Sequence, residues 1–463
     1  MTLRFLNREE ELDRLLGATQ GPDGSFLVIY GRRRIGKSRL LAEFLRDQPA
    51  VYYVGDDREA SLQRSALATE IGRIIPGFES VEYPQWQALL DRWHLEAPPG
   101  AILAIDELPS LVTVSKELPS LLQKLVDRKR SKPLHLVISG SSQRMMHGLV
   151  LDQQAPLYGR AVQMMRLEPL GIEHLSKAFS ISNAAEVISA YSIWGGIPRY
   201  WELARDFPNT QEAFHDLVLD PLGPLHHEPD RLLRDELRDT RQAASILALV
   251  ASGCHRMSEI AGRLGKPASS MTRPLAMLVE MGFVAKEHPF GAPKRSSKKT
   301  LYHVADPFLA TWYRFVEPNR SLLEIRQFKT ALAIIKKEWD LYMGQAWEQI
   351  VRQNIPWLRI DDTDWLPASR WWGPGLDRKE LEFDLVAQSA SDPDHLLIGE
   401  VKRSMKPGHA QTLLKKIQRL PLAKGKRISS VLFSVEPSSK TAKAPVHHMS
   451  AAMLLRQVSK AKA

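Results

Sequence analysis

Four short apolar runs punctuate the first third of the chain: Ser25–Tyr30, Val51–Val54, Ala101–Ile105 and Leu134–Ile138. Gln163–Leu167 is a fifth strand candidate. Runs of this length, apolar without alternation, predict strands buried on both faces, as in a parallel sheet. Ser38–Leu45 spaces its apolar residues helically, so strands and helices alternate, and helices should cover both faces of the sheet. The pattern changes between Arg241 and Tyr302. Three short helices are predicted over Ala243–Val250, Ser258–Leu264 and Ser269–Glu280, with Gly265-Lys266-Pro267 as a turn. Two strand-like pieces follow, Phe283–Lys286 and Thr300–Val304, and the whole describes a winged helix. Leu381–Ala387 then alternates polar and apolar residues, Asp392-Pro393-Asp394 is a turn, and His395–Lys402 is a second strand. A β-hairpin results. Leu413, Leu414, Ile417 and Leu420 fall at helical spacing beyond it.

A chain of 463 residues is too long for one core. The boundaries predicted are 1–170 for the sheet, 171–238 for a helical lid, 239–305 for the winged helix, 306–430 for a C-terminal α/β domain, and 431–463 for a basic end whose last twenty or so residues are expected to be flexible. Hydrophobic residues make up 44% and charged residues 25%, the balance of a soluble globular protein. No apolar run approaches a membrane span, and no signal peptide is visible because Arg4, Arg8 and a block of acids interrupt the N-terminus. Cys254 stands alone, which excludes an intramolecular disulfide and a cysteine metal cluster. A cytoplasmic location is expected. The net charge is +10, yet from Val401 onward fourteen lysines and arginines face Glu436 alone. Such a block reads as a nucleic-acid backbone surface or as a solvated tail, and over Lys402–Arg427 an ordered basic helix is the expectation.

Gly31-Arg32-Arg33-Arg34-Ile35-Gly36-Lys37-Ser38 meets every fixed position of the phosphate-binding loop G-x-x-x-x-G-K-[ST]. It sits between a strand and a helix, where backbone N–H groups and the helix N-terminus can face phosphates. The nucleotide contacts are assigned to Gly31, Arg32, Arg33, Arg34, Ile35, Gly36, Lys37, Ser38 and Arg39. Lys37 should reach the β and γ phosphates, and the Ser38 hydroxyl should ligate Mg²⁺. The three arginines contact phosphate or simply flank it in solvent. Asp106 and Glu107 end an apolar strand, which is the Walker B arrangement: Asp106 for the metal, Glu107 to orient or deprotonate water. Ser139-Gly140-Ser141-Ser142 ends another strand, either sensing the γ-phosphate or forming an ordinary turn.

These motifs together resemble the archaeal-type ATPase family, a branch of the signal-transducing P-loop (STAND) ATPases related to the AAA+ class. The resemblance is carried by Phe5–Leu12, the Gly31-Arg32-Arg33-Arg34 loop, Asp106-Glu107, Ser139–Ser142, Pro156-Leu157-Tyr158-Gly159-Arg160 and Trp194–Tyr200. It implies that Gly196-Ile197-Pro198 is the G-x-P element of a helical lid, with Pro198 near the base. It also implies that Arg160 can be presented toward a γ-phosphate; a surface salt bridge is the other reading of that residue. Asp306–Val316 resembles the junction that leads, in this family, from the winged helix to a nuclease-like domain.

Asp384 precedes Glu400-Val401-Lys402 by sixteen residues. On the hairpin, Ile398, Glu400 and Lys402 share one face by the two-residue repeat, and Asp384 comes near them. Two carboxylates are an oxygen set for Mg²⁺, and the lysine can position a water against a phosphodiester. The constellation resembles the PD-(D/E)XK nuclease superfamily, by which Glu348, on the predicted helix Gly344–Val351, matches an additional metal-binding carboxylate; no proline precedes Asp384. As a DNA reader the winged helix would offer Ser269, Ser270, Thr272 and Arg273 to the major groove and Lys294, Arg295, Lys298 and Lys299 to phosphates, although Pro274 falls inside the presumed recognition helix. The expected function is therefore that of an ATP-binding and ATP-hydrolysing, DNA-acting multidomain α/β protein whose signal-type ATPase module controls a Mg²⁺-dependent nuclease-like domain, with ATP and Mg²⁺ as cofactors. A nucleotide-switched DNA-binding regulator or scaffold with an inactive nuclease fold is the alternative, and either form could be a homo-oligomer.

Overall fold

The computed structural model describes residues 5–128, 132–237, 239–293, 299–436 and 445–462. Lys294, Arg295 and Lys298 of the expected wing lie outside the described residues. The chain divides into two compact units: Thr2–Pro169 with Ile197–Arg199, and Leu170–Gly196 with Tyr200–Ala463.

In the N-terminal unit five strands, β1 (Phe26–Tyr30), β2 (Ala50–Val54), β3 (Ala101–Asp106), β4 (Leu134–Gly140) and β5 (Gln163–Arg166), form one sheet in the order β2-β3-β4-β1-β5. Every pairing is parallel. All residues of β3 and β4 are buried, which is why their sequences read as unbroken apolar runs. Alternation sorts them onto two faces. Phe26 and Val28 join a core with Leu103, Ile138, Trp86, Trp93 and Leu122 under the helices Trp86–Glu96 and Leu118–Asp127, whereas the equally buried Leu27 and Ile29 face the other side.

The second unit begins with helices that include Ala184–Trp194, capped by the Asn183 side chain on the Ala185 and Glu186 amides. Helices Thr240–Ala251, Met257–Arg263 and Thr272–Glu280 follow, then an antiparallel pair, β6 (Val284–Glu287) and β7 (Leu301–Val304). Pro274 is no obstacle here. The α-helix starts at Thr272, after a 3₁₀ turn over Ala268–Met271, so the proline lies in the first turn, where its missing N–H has no intrahelical acceptor. Phe308, Trp312, Tyr313 and Phe315 of the junction are buried packing residues.

After the small pair β8 (Arg359–Ile360) and β9 (Thr363–Asp364), a mixed sheet runs β10-β11-β12-β13-β14, from Ser369–Pro374, Glu380–Gln388, His395–Lys402, Arg427–Ser434 and His447–Ser450. β10, β11 and β12 pair antiparallel, and β12, β13 and β14 parallel. The helix His409–Gln418 makes the crossover from β12 to β13 and buries Leu413 and Ile417 against Phe383, Ile398 and Leu432. The chain end departs from expectation. Residues 447–461 are a strand and a helix, with Ala451, Leu454 and Val458 buried at helical spacing and the Ser450 hydroxyl capping the Met453 amide. An apolar stripe outweighs the lysines that suggested a flexible tail.

Gly399 lies at the centre of β12, where an added Cβ would come 2.7 Å from Val431 Cγ1 and 2.9 Å from the Val431 carbonyl. Gly399→Ala should therefore cost about 1–3 kcal/mol by overpacking, read as a lower urea midpoint. An unchanged midpoint would show that β12 and β13 can separate without loss.

Candidate functional site

Parallel register brings the ends of β1, β3 and β4 to one level: Ile29 pairs Ser139, and Ile105 pairs Ile138. The loop after β1 wraps this edge. Gly31 has φ 151° and an added Cβ would meet the Leu167 carbonyl at 2.8 Å, so only glycine allows that approach. Gly36 has φ 99° and begins the helix Lys37–Leu45. Arg34 is also left-handed, at φ 67°. Arg32 and Ile35 are buried, whereas Arg33, Ser38 and Arg39 are exposed.

The Lys37 side chain is buried and folds into the loop, donating to the Gly31 carbonyl at 3.0 Å and the Arg32 carbonyl at 3.2 Å. Its ammonium lies 4.0 Å from Glu107 Oε1. Asp106 is the hub. Its Oδ2 accepts from Ser38 Oγ at 2.5 Å and from the Tyr52 hydroxyl at 2.8 Å, while Oδ1 accepts from Ser139 Oγ and from the Glu107 amide at 3.0 Å. Burial and then the Asp106 charge raise the Tyr52 pKa, so its hydroxyl stays a donor. Glu107 itself sits at φ 53°, a region costly for a side chain bearing residue, and its carboxylate accepts from the Ser141 amide at 3.0 Å and hydroxyl at 2.7 Å.

Pro198 approaches the same loop: its Cγ is 4.0 Å from where a Gly36 Cβ would stand. Arg160 is committed elsewhere. Its guanidinium holds Asp127, with Nε 2.8 Å from Oδ1 and Nη2 3.0 Å from Oδ2, the salt bridge of its two readings. Arg8 carries no signal in the sequence beyond its place in a family motif. Buried, it donates from Nη2 to the Glu168 carbonyl at 2.7 Å and the Ile35 carbonyl at 3.4 Å, and pairs with Glu11 at 2.7 Å. It thereby fixes the loop to the end of β5. Tyr52 was also missed, since a tyrosine in a strand carries no motif.

The second cluster lies on β11 and β12. Leu385 pairs Gly399, so Asp384 and Glu400 stand one step along on facing strands. Lys402 Nζ is 2.6 Å from Glu400 Oε2 and 3.3 Å from Asp384 Oδ2, and the Val401 amide donates to that same Asp384 oxygen at 2.9 Å. Burial works against the Lys402 charge, yet the two carboxylates hold its pKa above the ordinary lysine value. Lys416, on the helix His409–Gln418, also pairs with Glu400. Glu348, on the long helix Phe328–Asn354, shares a cavity of about 300 Å³ with Asp384. Arg352, one turn on, links them, 3.5 Å from the Glu348 carboxylate and donating to the Asp384 carbonyl at 3.0 Å. Burial, and next the Asp384 charge, push the Glu348 pKa up to about 7. Glu287 of β6 joins this network through Arg352 and Arg370.

On the helix-turn-helix, Ser269, Ser270, Thr272 and Arg273 are exposed. Among the described residues no helix is long and apolar enough to cross a membrane.

Comparison with known proteins follows this division. An ATPase domain predominantly from Archaea matches residues 5–203, an IclR helix-turn-helix domain matches residues 241–288, and a family of archaeal and bacterial proteins of unknown function matches residues 312–413. The uncharacterized protein MJECL04 of Methanocaldococcus jannaschii is 30% identical over 412 residues, covering 86% of this chain and 87% of that protein. The uncharacterized ATP-binding protein MJ0423 of the same organism is 39% identical over 44 residues, 10% of this chain and 75% of its own length. Among solved structures, the Walker-type ATPase PABY2304 of Pyrococcus abyssi has the same fold over 68% of this chain and 97% of its own, at 24% identity and a TM-score of 0.50. The chain belongs to the same family as MJECL04, and carries an archaeal-type ATPase domain with a phosphate-binding loop and an IclR-type helix-turn-helix.

Proposed function

We propose that this ATPase acts on DNA, its nucleotide state controlling a Mg²⁺-dependent, PD-(D/E)XK-like nuclease site in the C-terminal sheet. The observation that supports the nuclease reading most directly is the convergence of Asp384 and Glu400 on the Lys402 ammonium, at 3.3 and 2.6 Å. Oxygen donors gathered around a cation are the donor set that a hard divalent ion takes, and Asp384, Glu400 and Glu348 would hold Mg²⁺ there. The ion would supply charge neutralisation at the phosphodiester. Lys402 would hold the attacking water and stabilise the charge that develops on the phosphate oxygens.

At the phosphate loop, Ser38 and Asp106 are likewise an all-oxygen pair and would hold the Mg²⁺ that accompanies ATP. Lys37, released from the Gly31 and Arg32 carbonyls, would pair with the β and γ phosphates. Glu107, oriented by Ser141, would accept the proton of the attacking water. Pro198 would border the base. DNA would be engaged through the exposed Ser269, Ser270, Thr272 and Arg273 of the helix-turn-helix and through cations of the C-terminal domain.

For the ATPase, Glu107→Gln keeps the side chain's size but removes the base. It should bind ATP as the parent does and turn over about 100-fold more slowly or worse. Hydrolysis at the parental rate would discard the role given to Glu107.

For the nuclease, the full chain is incubated with supercoiled and linear DNA, Mg²⁺ and ATP. Cleavage by the parent, its loss in Asp384→Ala and in Lys402→Ala, and intact ATP turnover in both variants are the expected results. Removing Lys402 takes one of the two lysines from the facing carboxylates and leaves Lys416 on Glu400, so Mn²⁺ affinity should hold or rise in that variant while cutting stops. A parent that cuts no substrate would leave the DNA-binding scaffold as the function.

Glu348 gives a pH test. Its folded pKa of about 7 lies above the 4.5 of a free glutamate. Between those values the folded chain keeps a proton that the unfolded chain has lost, so this carboxyl's contribution to stability falls as pH rises through that window. In EDTA, Glu348→Gln should match the parent's melting temperature near pH 4.5 and exceed it at pH 8. A variant no more stable than the parent at pH 8 would mean that Glu348 ionises normally.

A further inference from the structure

We propose that His226, His227 and Glu324 bind one divalent first-row metal ion of the zinc type, at a site separate from both clusters above. One ligand atom from each of the three lies within 4.8 Å of the others. The cluster sits inside the second unit, between the turn before the helix Glu228–Glu236 and the short helix Arg320–Glu324.

His226 carries the argument. Its side chain is fully buried, and Nδ1 lies 2.8 Å from the Val218 carbonyl. A carbonyl only accepts, so Nδ1 bears the proton and Nε2 presents a lone pair. That Nε2 has no hydrogen-bond partner among the described residues, and Glu324 Oε1 is 3.8 Å from it. A buried polar atom left unsatisfied calls for a physical reason. An imidazole with one nitrogen fixed by a carbonyl and the other bare toward a carboxylate is the arrangement of a metal-ligating histidine. Protonating Nε2 to form an ion pair is opposed by burial, which lowers the His226 pKa. The backbone is pinned as well, since Trp312 Nε1 donates to the His226 carbonyl at 2.7 Å.

His227 places its ring 4.7 Å from that of His226 at 87°. Its Nδ1 accepts from Arg320 Nη2 at 3.3 Å, a contact that a metal ion on this ring would displace, and the guanidinium keeps Asp230 at 3.3 Å as its counter-charge. Imidazole nitrogens with one carboxylate suit Zn²⁺, whereas Mg²⁺ and Ca²⁺ prefer oxygen alone. Three protein ligands leave a position for water, and the ion would cross-link two segments that are far apart in sequence.

The test strips the purified full-length chain with EDTA, then dialyses it against Zn²⁺ with Mg²⁺ in large excess to fill oxygen-only sites. The parent should retain one zinc per chain by elemental analysis. His227→Ala and Glu324→Ala remove half-exposed side chains, which spares the fold, and each should weaken retention at least tenfold. Asp384→Ala should retain zinc as the parent does. Parental retention in both ligand variants overturns the site, and so does a parent without zinc or a loss confined to Asp384→Ala.

Discussion

The buried carboxylate of Asp106 is the point on which the N-terminal unit is organised. It has 1% of its surface exposed, a position that a charged group tolerates only when its oxygens are saturated. Parallel pairing provides the saturation: β2, β3 and β4 end together, so Tyr52, Ser139 and the Ser38 hydroxyl after β1 all arrive at one side chain. An antiparallel sheet would send alternate strand ends away. The same levelling places Ser141 on Glu107 and Lys37 4.0 Å from it. The geometry of this edge of the sheet is thus set by the need to solvate one buried charge.

The C-terminal cluster solves a different problem with a different sheet. Facing residues on antiparallel neighbours bring Asp384 and Glu400 side by side, where like charges repel. Lys402, two residues along β12, and Lys416, from the crossover helix, offset that repulsion. Glu348, held by its burial and then by the Asp384 charge, keeps its proton toward neutral pH.

What the sequence made legible follows from period and spacing. Buried parallel strands are continuous apolar runs, a phosphate loop has fixed positions, and the two-residue repeat puts Glu400 and Lys402 on one face. Contacts set only by tertiary approach left no trace. Arg8 reaches the Glu168 carbonyl across 160 residues, and Lys416 finds Glu400 because a helix packs over β12. At the chain end Lys460 and Lys462 suggest a flexible tail by composition, while three buried residues, Ala451, Leu454 and Val458, decide its structure. Pro274 looked disruptive only because the helix start could not be placed to within a turn.

The same distinction between composition and structure governs how the basic end can meet a polyanion. Lys402, Arg403, Lys416, Arg419, Lys426 and Lys462 each have a carboxylate partner. Exposed pairs such as Arg403 with Asp340 are worth about 0–1 kcal/mol and can be exchanged for a phosphate. Lys402 and Lys416 are both bound to a Glu400 that is itself 7% exposed, and drawing them away would leave a buried charge uncompensated. Salt dependence of DNA binding counts only the cations that release counterions. The slope should therefore fall short of what the raw charge of this segment suggests, with Lys402 and Lys416 serving the carboxylates rather than the backbone.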